Sequence, residues 1–103
     1  MALGLAVCLL LVPIAAADDS PEDAVAKGLA AAVKLRDAGE AEKAILLLTW
    51  LLDEHPESVE AHIMFQDLRL ARGDRRALVR RYSRLASRKG ASADDAFLHA
   101  RLL

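Results

Sequence analysis

The sequence predicts an all-α chain, a helix-turn-helix repeat solenoid of antiparallel helix pairs, and three observations carry that prediction. Displaced by 34 residues, the chain overlies itself: Gly39 falls on Gly73, Glu40 on Asp74 and Leu51 on Leu85, and a second displacement brings Ala32 to Ala100 and Leu35 to Leu103. Between turn residues, apolar side chains recur at spacings of three and four, the helical period. Neither the alternation of a strand nor a low-complexity linker interrupts the series.

Taken in order, residues 1–17 are almost wholly apolar, run through Leu9-Leu10-Leu11 and close on Ala15-Ala16-Ala17 before Asp18-Asp19. This pattern predicts a secretory signal peptide cleaved after Ala17, because the small side chains at Ala15 and Ala17 suit a signal peptidase. Pro13 breaks the run, which falls short of the roughly 20 residues that span a bilayer. The expected location is therefore exported, periplasmic or extracellular, and the Ala- and Arg-rich composition points to a bacterium. The one cysteine, Cys8, lies inside the leader. Disulfides, a thiolate metal site and a cysteine nucleophile are thus excluded from the processed chain.

Residues 18–24 form an acidic lead-in, with Ser20 as N-cap and Pro21 in the first turn. The first helix runs through Val25, Leu29, Ala32, Val33 and Leu35 to Ala38, where Gly39 supplies the left-handed residue that stops it. A second helix, from Glu40 to Glu54, carries Ala44, Ile45, Leu47, Leu48, Leu51 and Leu52 and ends at His55-Pro56. Ser58 caps a third helix with Ala61, Phe65 and Leu68 on its apolar stripe, ended by Gly73. Asp74 opens a fourth helix, which uses Leu78, Tyr82 and Leu85 and closes at Lys89-Gly90. Ser92 or Ala93 starts a fifth, from Asp94 to Leu103.

The residues resemble the tetratricopeptide repeat family, whose 34-residue unit is a helix pair closed by proline. The first unit, 25–58, matches at Ala31-Ala32, Leu35, Ala44, Leu48 and Pro56. The second, 59–92, matches at Phe65, Gly73-Asp74, Tyr82 and Leu85 but is degenerate. Gln66 and Arg69 replace a small residue and an aromatic there, and Gly90 replaces the proline. Residues 93–103 correspond to the first helix of a third repeat or to a capping helix. The resemblance implies an inner groove lined by the first helix of each unit, and on that face stand Leu29, Val33, Ile63, Met64 and Phe97. The Lys, Asn and Arg with which one subset of the family grips chaperone tails are missing from it.

Overall charge is near balance, a formal −1, but it is segregated. Residues 18–60 carry eleven carboxylates against four bases, and residues 67–103 carry ten bases against four carboxylates. Arg76, Arg80, Arg84 and Arg88 stand one turn apart and form a basic patch, which needs an acidic counterpart or solvent. Nucleic acid is disfavoured, because aromatics for base stacking are not interleaved with the arginines. His55, His62 and His99 have no partner at metal-ligand spacing and no serine placed as a nucleophile. No catalytic residue, cofactor or metal is expected, and His62 and His99 read as packing residues.

The expected function is that of a non-enzymatic protein–protein interaction scaffold of the cell envelope. It would take an apolar or amphipathic segment of a protein or peptide partner into the groove. Two alternatives stand beside it: the opening portion of a larger exported repeat protein whose activity lies elsewhere, and a module that self-associates into a homo-oligomer. Membrane contact through the basic helix is a further expectation.

Overall fold

The computed structural model describes residues 20–103; the leader expected over 1–17 and its expected cleavage after Ala17 lie outside the described residues. Those described form five α-helices and no strand, so the chain is all-α. The helices are α1 (Pro21–Asp37), α2 (Ala41–Glu54), α3 (Val59–Ala71), α4 (Arg75–Ser87) and α5 (Ala93–Ala100). Among the described residues, no helix is long and apolar enough to cross a membrane.

Three of the five helix starts follow from side chains that meet orphan backbone donors. Ser20 Oγ accepts from the Asp23 N–H at 3.1 Å, and Ser58 Oγ from the Ala61 N–H at 3.3 Å. Ser92 and Asp95 make a reciprocal capping box at 3.2 and 2.9 Å. Asp74 opens α4 as its N-cap, as expected, but like Glu40 at the start of α2 its side chain makes no cap bond. Arg69 Nε at 3.1 Å and Arg72 Nη2 at 2.6 Å occupy its carboxylate instead.

Two turns reproduce one another. Gly39 and Gly73 have φ of 80° and 91°, a region that costs a side chain strain but not glycine. In each turn the next residue's N–H reaches back over the helix end, Glu40 to the Leu35 carbonyl at 2.8 Å and Asp74 to the Arg69 carbonyl at 3.0 Å. This is the closure that satisfies the last free carbonyls of a helix. α4 stops at Ser87, short of the expected Lys89-Gly90, because Arg88 is already extended with ψ of 156°. α5 stops at Ala100, and the chain then turns so that Leu102 is buried.

α1 packs along α2, α2 on α3, and α3 on both α4 and α5, which also pack together. The α1–α2 crossing is close because small residues line it. Ala32 and Ala44 are wholly buried, and a Cβ on Gly28 would lie 2.5 Å from Leu51 Cδ1. Since Leu51 is itself fully buried, an alanine at 28 would have to displace a core side chain with nowhere to go. The core then continues through Leu48, Ala61, Phe65, Leu78 and Tyr82 to Leu98 and Leu102.

Candidate functional site

The seam between α1 and α3 is not filled. α1 spends its apolar stripe on α2, and α3 divides its own between α2 on one side and α4 and α5 on the other. What remains is a groove of about 470 Å³, floored by Ile63, Met64, Leu68 and Ala71 and edged by Arg36, Glu60 and Asp67. Towards the start of α1 the seam continues as a second trough of about 380 Å³, bounded by Pro21, Glu22, Val25, Glu57, Ser58 and Glu60. One end is thus apolar and the other acidic, with Glu60 shared between them.

The expected groove residues divide between this seam and other surroundings. Ile63 and Met64 line the apolar end. Leu29 is half-buried, packs against the core and lines neither trough, although it shares the α1 stripe of Val25 and Arg36 at helical spacing. Val33 is half-buried and borders neither trough. Phe97 stands on α5, 51% exposed, and does not line the seam. Arg36, Glu60, Asp67, Leu68 and Ala71 complete the groove, though none was expected there; the positions of Arg36 on the stripe of Leu29 and of the other four on the stripe of Met64 were the available signal.

The four arginines of the basic patch are all exposed, Arg76, Arg80 and Arg84 on α4 and Arg88 at its C-cap. Arg76, Arg80 and Arg84 have no carboxylate partner among the described residues, and Arg88 comes no nearer than 3.9 Å to Asp95. The other arginines of the basic half are engaged. Arg72 spans to Glu42 as well as Asp74, Arg75 donates to the Leu102 carbonyl, and Arg69 and Arg81 lie over the Phe65 ring at 5.4 and 5.0 Å.

Behind the groove, α3 carries a buried polar system that fixes the second unit. His62 Nδ1 and the Tyr82 hydroxyl are 2.8 Å apart, and His62 Nε2 is 2.8 Å from the Pro56 carbonyl. Burial holds His62 below its ordinary pKa, partly opposed by the Pro56 hydrogen bond, and pushes the Tyr82 phenol up to about 12. Gln66, wholly buried, donates to the Leu98 carbonyl at 2.9 Å and accepts from Arg101. Gln66 therefore ties α3 to α5, and Arg69 ties it to the turn at Asp74.

The described surface offers an open groove, apolar at one end and acidic at the other. Among the described residues no group of three His, Cys, Asp or Glu side chains is disposed to hold a metal ion. His62 is satisfied on both ring nitrogens. His55 has its Nδ1 3.9 Å from a Glu57 carboxylate oxygen. Comparison with protein families, with curated proteins and with solved structures gives no match to the chain.

Proposed function

We infer that the chain is a tetratricopeptide-like interaction scaffold, not an enzyme, which holds a helical segment of a partner protein in the α1–α3 seam. The observation that carries this reading is the seam's composition: an apolar groove at Ile63, Met64, Leu68 and Ala71 running into an acidic trough at Glu22, Glu57 and Glu60. An amphipathic helix fits it, with one or two large apolar side chains in the groove and a basic residue at the trough. Met64 has the unbranched, polarizable side chain that adapts to varied apolar partners. The volume lies within the roughly 300–1,000 Å³ common for ligand-sized clefts.

The repeat assignment draws support from the two matched glycine turns and from the zero exposure of Ala32 and Ala44 where the helices cross. Export to the periplasm or beyond, through the leader over 1–17, belongs to the same reading and makes the partner an envelope protein.

Selection of displayed peptides against the chain tests this function. Peptides that form amphipathic helices with a basic flank should be enriched, should perturb the methyl signals of Ile63 and Met64, and should lose at least about tenfold in affinity, roughly 1.4 kcal/mol, on Met64→Asp. Circular dichroism checks that this variant keeps its helices. Enriched peptides whose contacts map to another face, or that bind Met64→Asp unchanged, would remove the groove from consideration.

A further inference from the structure

The two units differ most where they face outward. Positions 42, 46, 50 and 54 on α2 and positions 76, 80, 84 and 88 across α4 and its C-cap are related by the same 34-residue displacement, so they form equivalent rows. On α2 the row reads Glu42, Leu46, Trp50 and Glu54, with Asp53 beside it. On the second unit it reads Arg76, Arg80, Arg84 and Arg88. All are exposed, Leu46 at 70% and Trp50 at 56%. Each row is about 18 Å long at the helical rise.

Neither row is balanced within the chain. Arg76, Arg80 and Arg84 face like charges one turn away and no carboxylate among the described residues, a repulsive arrangement. Arg76 also stands in the first turn of α4, where the helix end is already positive. On α2, Asp53 and Glu54 lack a cation partner among the described residues and flank an exposed leucine–tryptophan pair; Glu42 is answered by Arg72.

We propose that the α2 row of one copy of this chain docks against the arginine row of a second copy. Arginine is suited to both parts of the α2 row, because its guanidinium stacks on an indole face and pairs in a fork with carboxylates. Trp50 and Leu46 lie against the arginine stems and guanidinium planes in the middle of the contact, and Glu54 with Asp53 neutralises one end. An anionic membrane fits less well. The arginine row holds no apolar side chain to insert, and the exposed tryptophan sits among carboxylates that such a surface repels. Each copy has both rows, so the contact yields a closed dimer if both engage at once and a growing chain if one does.

Sedimentation equilibrium of the purified full chain is the test. At about 50 mM salt the wild type should associate, and about 500 mM salt should weaken association at least tenfold, since exposed charges are screened. The surface variants Arg80→Glu/Arg84→Glu and Trp50→Arg/Glu54→Arg should each be monomeric with unchanged circular dichroism. Mixed in equal amounts they should associate again, because each supplies the complement that the other has lost. The proposal is overturned by a wild-type monomer at about 100 μM in low salt, a concentration that reveals even weak pairs. Association that survives in either variant alone, or a mixture that stays monomeric, overturns it too. So does a monomer that cosediments with phosphatidylglycerol vesicles and loses them on Arg80→Glu/Arg84→Glu, which would assign the row to lipid.

Discussion

Pro56 presents the His62 ring with a carbonyl oxygen alone, so Nε2 carries the proton and donates there, and Nδ1 accepts from the Tyr82 hydroxyl. Burial disfavours the charged ring and outweighs the Pro56 hydrogen bond, which favours it, so the pKa lies below the ordinary 6.5. The unfolded chain consequently binds the proton more readily than the folded one. Stability from this site is complete above pH 6.5 and is lost as the pH falls through the lowered folded value. Denaturant titrations between about pH 7 and pH 5 should show a decline of at most about 1.4 kcal/mol per pH unit from this one proton. His62→Gln should flatten that part of the slope while leaving the rest, and an identical slope in the variant would refute the assignment. The sequence identified His62 as a packing residue, and it is buried. Its Tyr82 partner was illegible because it is 20 residues away in the chain, a distance that only the α3–α4 crossing closes. Gln66 was read as damage to a repeat pattern for the same reason, since Leu98 and Arg101 lie more than 30 positions away.

Elements were more legible than contacts, because their signals are local. Ser20, Ser58 and Ser92 each cap the helix that follows, and Gly39 and Gly73 each end one. Asp74 has the right residue type for a cap, but arginines two and five positions before it take its carboxylate and hold it below the usual carboxylate pKa range. Competition of that kind cannot be weighed from one residue's propensity. Cap strength matters most for α5, which at 8 residues is too short to persist by propensity. It is kept by the capping box, by the burial of Leu98 and by the Gln66 bond to the Leu98 carbonyl. Ser92→Ala should cost about 1 kcal/mol of global stability, and Ser92→Asp should recover most of it, read by chemical denaturation. A loss below about 0.3 kcal/mol, set against that expected cap value, would mean that α5 is held by packing alone.

At the level of the whole molecule the helices are unequally anchored. α3 is tied by buried hydrogen bonds to α4 and α5 and by packing to α2, whereas α1 packs on α2 and leaves the seam to α3 open. The charge segregation and the all-helical character were plain in the sequence, but this inequality was not, because it depends on how far α1 stands from α3. Local opening follows the weakest set of contacts. Amide hydrogen exchange should therefore find α1 the least protected of the long helices, by about tenfold or more relative to the centre of α3. The same opening reports on the groove. A peptide lodged between α1 and α3 binds only the closed arrangement, so at about 100 times its Kd it should stabilise α1 against opening by about 2.7 kcal/mol. Protection in α4, which does not border the seam, should change less wherever exchange proceeds by local opening. If a bound peptide instead slowed exchange in α4 and left α1 untouched, the partner would be sitting on the arginine row, and the α1–α3 seam would be a packing gap with no part in recognition.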